Sequence, residues 1–436
     1  MLLVITRAAY MAPWKTSRVT SPQHPSFRAN RFLQLILAAY AVVWCATAIA
    51  PRDWPTWLLE NLLVVITVGG LALTYRRFAF SNVSYLLIAL FLVLHAIGAH
   101  SGYMHTPIGD WLRDAFGLRR NPYDRVIHCA FGLLLAYPLR ELLMRTGEVR
   151  GWAANWLPVG LVLAVSTCFE VIESAVAEIV SPGTGPAWLG AQGDDWDAQL
   201  DMAAALLGAS AAMVIAWWRE SVPPRARDFA MKPFCDRRLL HALCICYAVI
   251  WIIAAINPLK RDDWLIENLL VFAAVPALVF TWRRLPLSDT AYTLIFLFLV
   301  LHAAGAHYTY SEVPLGYWLK ETFHLPRNHF DRIVHLSFGL LLTYPMCEIL
   351  GRTVKARGAW ALLLPAAVIV SLSGFFEIIE GIVAWFVSPE LGQAYLGTQG
   401  DVWDAQKDMA LAIFGAAFVV AMIWLSARRK SVRHFV

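Results

Sequence analysis

Charge is what this chain has least of. Asp, Glu, Lys and Arg make up 15% of its 436 residues, whereas a soluble domain carries about 25%. Hydrophobic residues reach 59% and the mean hydropathy is +0.56. A water-soluble globular fold is excluded. The net charge of +5 is small and sits in loops, so nothing points to nucleic acid. A secretory signal pattern is missing too. The apolar start MLLVI is short and is followed by a polar stretch with Lys15, Arg18, Pro22 and Pro25. The seven cysteines, at 45, 129, 168, 235, 244, 246 and 347, fall within apolar segments or on the basic side of the chain. That placement excludes a disulfide framework. Cys244 and Cys246 lie on roughly opposite faces of a helix, a poor arrangement for a CxC metal site. No HExxH signature occurs anywhere.

What the chain does have is an internal echo. LGAQGDDWDAQLDM from Leu189 returns as LGTQGDVWDAQKDM from Leu396, with 11 of 14 positions identical at an offset of 207. The same offset carries His95 onto His302, His128 onto His335, and Glu170/Glu173 onto Glu377/Glu380. The chain is a tandem duplication of a membrane unit. Each copy offers six apolar runs of the length a bilayer requires, about 18 residues or more. They fall near 32–50, 57–74, 83–100, 126–144, 154–180 and 199–218, then near 239–256, 264–281, 290–307, 333–350, 360–387 and 406–425. The fold expected is an all-α polytopic membrane protein of about 12 transmembrane helices in two parallel six-helix repeats.

Basic residues set the expected orientation. Before residue 240 the N-terminal tail, the 75–82 and 140–153 loops and the central linker hold 16 Lys/Arg, and the alternate loops hold five. The positive-inside rule then makes both termini and the linker cytoplasmic. The domains read as a tail over 1–30, a first repeat over 31–219, a linker over 220–237, a second repeat over 238–427 and a tail over 428–436. The 19 tryptophans cluster near segment ends as an interfacial belt.

This topology gathers polar residues at one face. Segments three to six of copy one bring His95, His100, Asp124, His128, Glu170 and Glu173 to the outer side, beside the loop carrying Gln192, Asp194, Asp197 and Asp201. Copy two repeats the set with His302, His307, Asp331, His335, Glu377, Glu380, Gln399, Asp401, Asp404 and Asp408. Ionisable groups within a bilayer are expensive and face a bundle interior or water. Carboxylates with neutral imidazoles suit zinc, iron or manganese, with a bound water activated for attack. On that reading His100, His128, Asp197, Asp201, His307, His335, Asp404 and Asp408 are the metal ligands. Glu170, Glu173, Glu377 and Glu380 are the general acid/base groups. His95, Asp124, Gln192, Asp194, His302, Asp331, Gln399 and Asp401 support them. The plainer reading makes Asp124–Arg125 and Asp331–Arg332 capping ion pairs and the GxQGDxWDAQxDM loop a glycine turn with an N-cap. Glu141 and Glu348, beside Arg140 and Arg352, read as surface ion pairs. YxxxPxGxW at Tyr103–Trp111 and Tyr310–Trp318 reads as an amphipathic lid on the membrane surface.

HAxGAHxxYxxxP, DRxxHxxFGLLLxYP, FExIE and LGxQGDxWDAQxDM, each present twice, resemble the bacterial YjdF family of inner-membrane proteins. The resemblance implies a six-helix membrane unit and an inner-membrane location, and brings no reaction with it. The DRxxH element is more weakly similar to the DKxxH pattern of VanZ-like envelope proteins, at Asp124/His128 and Asp331/His335. Three functions stay open: a metal-dependent envelope enzyme acting on a lipid or lipid-linked substrate, a proton-coupled transporter, and a non-catalytic scaffold or sensor. Membrane lipids are the expected surroundings, and the two repeats are expected to form an intramolecular pseudo-dimer.

The orientation is directly checkable. A cytoplasm-dependent fluorescent reporter fused after Val436 is expected to light up, and an alkaline phosphatase fused there to stay inactive. Active phosphatase at that position would reverse the topology.

Overall fold

The computed structural model describes residues 26–180, 194, 196–219, 238–386 and 399–432. Every regular element among them is helical. The first repeat contains α1 (Arg31–Thr47), α2 (Trp54–Thr74), α3 (Asn82–Ser101), α4 (Pro107–Phe116), α5 (Tyr123–Thr146), α6 (Ala153–Val180) and α7 (Asp197–Arg219). The second contains α8 (Arg238–Ala255), α9 (Arg261–Thr281), α10 (Asp289–Tyr308), α11 (Pro314–Phe323), α12 (Phe330–Thr353), α13 (Trp360–Phe386) and α14 (Asp404–Val432). Eleven of these are long and apolar enough to cross a membrane. The remaining apolar helix, α1, has 17 residues, about 25 Å at a rise of about 1.5 Å each. The protein is thus an all-helical membrane protein with two six-span repeats. The chain divides into two compact units whose bulk follows the repeats.

Local chemistry sets the helix starts. Ser81 and Ser288 cap α3 and α10, accepting from the N–H groups of Ser84 and Ala291 at 3.3 and 3.1 Å. The Asn121 and Asn328 Oδ1 atoms accept from the N–H of Tyr123 and Phe330 at 3.1 and 3.0 Å, opening α5 and α12. The same amides donate to the carbonyls of Thr106 and Val313, pinning the short helices α4 and α11 beside these openings. Those helices were the expected amphipathic lids. They expose Ile108, Trp111 and Phe116 in one repeat and Leu315, Trp318 and Phe323 in the other.

Large apolar side chains stand exposed along the spans, among them Leu35, Val42, Val65, Ile66 and Leu73. In water so much exposed apolar surface would be an aggregation hazard; in a bilayer it is the face that meets lipid. The buried faces of α5 and α12 each include a glycine at a helix crossing. Gly132 of α5 lies so close to α7 that an added Cβ would sit 2.0 Å from the Ala205 carbonyl oxygen, and Gly208 returns the contact against Cys129 at 2.1 Å. In α12 and α14, Gly339 and Gly415 meet Ala412 and Leu336 at 2.3 and 2.7 Å. Small residues that let helix backbones touch are how helices associate where lipid removes the hydrophobic drive.

At the opposite end of α3 and α10, the structure corrects one expectation. Glu141 accepts from the N–H of Ser81 at 2.8 Å and from the Ser84 hydroxyl at 2.5 Å, and it pairs with Arg145, not Arg140. Glu348 accepts from the N–H of Ser288 at 2.7 Å while pairing with Arg352. Glu348 is buried. These acids close helix N-termini where a surface ion pair was expected.

Gly339→Leu is expected to destabilise the second repeat by about 1–3 kcal/mol or more, the usual cost of overpacking. The check is the thermal unfolding midpoint in detergent. An unchanged midpoint would show that the α12–α14 crossing does not carry the fold.

Candidate functional site

Four of the expected site histidines are braces between helix ends. His302 Nε2 lies 3.1 Å from the Glu267 carbonyl oxygen, and its Nδ1 lies 2.5 Å from the Tyr310 hydroxyl. A carbonyl only accepts, so Nε2 carries the proton and Nδ1 accepts from Tyr310. His95 makes the same pair of contacts with Glu60 and Tyr103, at 3.1 and 2.6 Å. Both ring nitrogens are engaged in each case. His100 and His307 use Nδ1 to reach the Thr47 and Ala254 carbonyls at 2.9 Å, groups left over at the ends of α1 and α8.

The remaining histidine of the second repeat sits among acids. His335 Nε2 faces Asp331 Oδ1 at 3.6 Å and its Nδ1 faces Glu377 Oε1 at 3.8 Å. One ligand atom from each of Asp331, His335 and Asp408 lies within 4.8 Å of the other two. Glu377 and Glu380 lie three residues apart on α13, on one face of that helix. All of these are buried, Asp408 at 2% and Glu377 at 3% exposure. Asp408 Oδ1 and Glu377 Oε1 have no hydrogen-bond partner. The cluster draws on α12, α13 and α14, and α9 adds Glu267, which is also buried and within electrostatic reach of Asp331 and Glu380. Glu267 and its counterpart Glu60 are absent from the set expected from sequence. The signal was there: one acid in an otherwise apolar span, at the same offset in both copies.

A network of arginines and aspartates closes over the second-repeat cluster. Arg327 pairs with Asp404 and Arg332 with Asp401; Arg332 also reaches Asp404 at 3.4 Å. Lys407 Nζ contacts both Asp401 oxygens at 2.7 Å. The Gln399 side chain exchanges two hydrogen bonds with the Asn328 backbone, at 3.0 and 2.9 Å. Asp401 additionally accepts from the Trp403 N–H at 3.1 Å. Gln399, Asp401 and Asp404 therefore hold this loop down. Asp404 is engaged by arginine, and Asp331 takes the place beside His335 and Asp408. The expected pairing of Asp331 with Arg332 does not form, because adjacent residues on a helix point apart.

The first repeat repeats the plan. Asp124, Asp197 and Asp201 bring ligand atoms within 4.8 Å of one another, and His128 Nε2 faces Asp124 at 3.8 Å. Arg120 binds Asp197 at 2.5 Å and Arg125 binds Asp194, so Arg125, like Arg332, reaches the loop and not its neighbour in sequence. Glu170 is buried on α6 and Glu173 is half-buried. Gln192 lies outside the described residues.

Fold and site together define a duplicated, multi-pass helical membrane protein with a buried acid–histidine cluster. The family model described as Predicted membrane protein (DUF2238) matches residues 32–221 and again residues 239–430. The chain belongs to that family, as a tandem duplication of its unit. It is similar to Inner membrane protein YjdF of Escherichia coli (strain K12), with 35% identity over 189 residues that cover 42% of this chain and 88% of the relative. The resemblance to VanZ-like proteins plays no part in this assignment. No solved structure matches the chain. Family and spans together give a multi-pass inner-membrane location.

Two groups outside the spans make the second-repeat loop sensitive to acid. Burial opposes ionisation of Asp401, but hydrogen bonds from Lys407, the Trp403 N–H and Arg332 together outweigh it and hold the carboxyl below the usual aspartate range. Burial, then the charges of Arg332 and Arg327, lowers the pKa of His329. Each group binds fewer protons in the closed loop than in an open one. Closure is thus favoured above the ordinary values and lost as pH falls through the depressed ones. The unfolding midpoint is expected to drop on acidification below about 6.5 and again below about 4, the ordinary values for His and Asp. In Asp401→Asn the second drop should vanish. A second drop of undiminished size would show that Asp401 does not hold the loop.

Proposed function

We propose that each repeat is a divalent-cation centre, used by an envelope enzyme on a lipid or lipid-linked substrate at the outer membrane surface. The observation that carries this reading is the buried triad of Asp331, His335 and Asp408, with an Asp408 oxygen left without a partner. A carboxylate buried without a donor is costly, and a cation held by these three groups removes that cost. Zinc, iron or manganese suits such a ligand set.

The roles follow from which atoms face each other. His335 presents Nε2 to Asp331, so this nitrogen would be the ligand, and Glu377, 3.8 Å from Nδ1, would favour a proton on that nitrogen through its charge. Glu380, three residues on from Glu377 on the same face of α13, would hold or release a proton beside the centre. A bound cation would supply an activated water at neutral pH. Asp124, His128, Asp197 and Asp201 would serve the first repeat, with Glu170 and Glu173 in the acid/base role. The exposed aromatic faces of α4 and α11 suit a substrate approached from the membrane surface. With both termini cytoplasmic, the cluster would face outward.

A second reading is proton-coupled transport, favoured by the buried carboxyls Glu377 and Glu380 three residues apart on α13, since a carboxyl pair in an apolar setting is a natural proton carrier. Metal analysis of the detergent-purified chain separates the two. Zinc, iron or manganese at one or more equivalents, falling by half or more in Asp201→Asn/Asp408→Asn, is the expected result. Folded protein free of metal after loading, together with proton-driven uptake in liposomes, would replace the enzyme reading with the transporter.

A further inference from the structure

Two guanidiniums at matched positions carry a donor that nothing accepts. Arg125 of α5 and Arg332 of α12 stand 207 residues apart, at the repeat offset. Each gives Nη2 to the loop aspartate of its own repeat, Asp194 or Asp401. Arg332 also lies 3.4 Å from His329 Nδ1 through Nη1 and 3.4 Å from Asp404 through Nη2. The Nε atom of both arginines is buried and has no hydrogen-bond partner among the described residues. A guanidinium presents its N–H donors in a fixed fork, and the loop aspartate does not use them all. A buried donor left without an acceptor is costly, and the same one is left over in each repeat.

These arginines border the acid–histidine centres. Arg125 Nη2 is 4.0 Å from Asp197, which stands at ligand spacing with Asp124 and Asp201. Arg332 precedes His335 by three residues on α12, so the two share a helix face. Neither guanidinium is sealed off, since the side chains are 31% and 18% exposed. A ligand arriving over the rim thus meets a planar fork and the centre together. Guanidinium forks bind phosphate through two parallel N–H···O bonds. Arginine beside a divalent cation is the combination that stabilises charge on a phosphoryl group.

We infer that Arg125 and Arg332 form an anion subsite at the rim of each centre, which takes a phosphate group of the substrate on the Nε edge of the fork. The subsite deepens the enzyme reading above, and the choice of phosphate over other anions rests on that reading. Arginine and bound cation would hold different oxygens of one phosphate. The substrate class narrows to phosphate esters, whether of a lipid or of a soluble molecule.

The test is calorimetric binding of inorganic phosphate and of dihexanoyl phosphatidic acid to the full-length chain in detergent, before and after loading with manganese(II). Binding of phosphate is expected. Arg125→Lys/Arg332→Lys keeps the charge but removes Nε and the fork, so affinity should fall by about tenfold or more, with manganese content unchanged. Each single substitution should halve the number of sites, and it carries the test if the double variant does not fold. Tighter binding of the phosphatidic acid assigns a lipid phosphate and equal binding a soluble one, and either upholds the subsite. Phosphate that does not bind, or that binds the double variant as well as the native chain, would overturn it; manganese still bound would leave the cation reading standing. Phosphate binding that the double variant loses, in protein that takes up no manganese, would sustain the subsite and remove the cation centre.

Discussion

The backbone contact between α12 and α14, and between α5 and α7, is the constraint on which the rest of each repeat depends. Gly339 sits one turn beyond His335 on α12, and the carbonyl it meets belongs to Ala412, one turn beyond Asp408 on α14. The acids and the imidazole therefore face each other because the glycines below them let two backbones touch. In lipid no hydrophobic drive pulls helices together, so close approach must come from side chains that are not there. The same glycines that lower the apolar content of these two helices create the place where their charges meet.

Once the helices are that close, electrostatics governs what lies above them. Each repeat places two arginines on the segment that leads into its last span: Arg327 and Arg332 on Asp401 and Asp404, Arg120 and Arg125 on Asp194 and Asp197. These pairs satisfy the aspartates nearest the surface. The deeper carboxylates, Glu377 and Asp408 in the second repeat, are left without donors for one oxygen each. Arginine as lid and unmatched acid beneath is the arrangement that makes a cation-binding interior physically reasonable, since bare charges of one sign cannot persist there.

Duplication has kept the acids and let their surroundings change. Lys407, which contacts Asp401, has Leu200 at the matching position, and His329, packed against Arg332, has Pro122. On the surface helices, Tyr317 bonds to Glu312 in the second repeat, whereas Asp110 pairs with Arg113 in the first. The centres are alike and their rims differ.

Much of the architecture was legible in the residues. The apolar runs and the duplication follow from hydropathy and a repeated motif, because a bilayer forces each span to satisfy its own backbone and thus to be a helix. The gathering of acids at one end also followed, since span order alone decides which ends lie together. The partner of each polar side chain did not follow. His100 and His307 looked like ligands and His95 and His302 like supporting groups, yet all four reach backbone carbonyls of neighbouring helices, whose positions no motif spells out. Arg125 and Arg332 looked paired with their neighbours, yet they reach a loop 69 residues away. Glu60 and Glu267 passed as part of an apolar span. The sequence by itself determined the helices and which helix ends gather the charge. Only the tertiary structure decided which charges meet, because that depends on glycine crossings that bring distant backbones within contact.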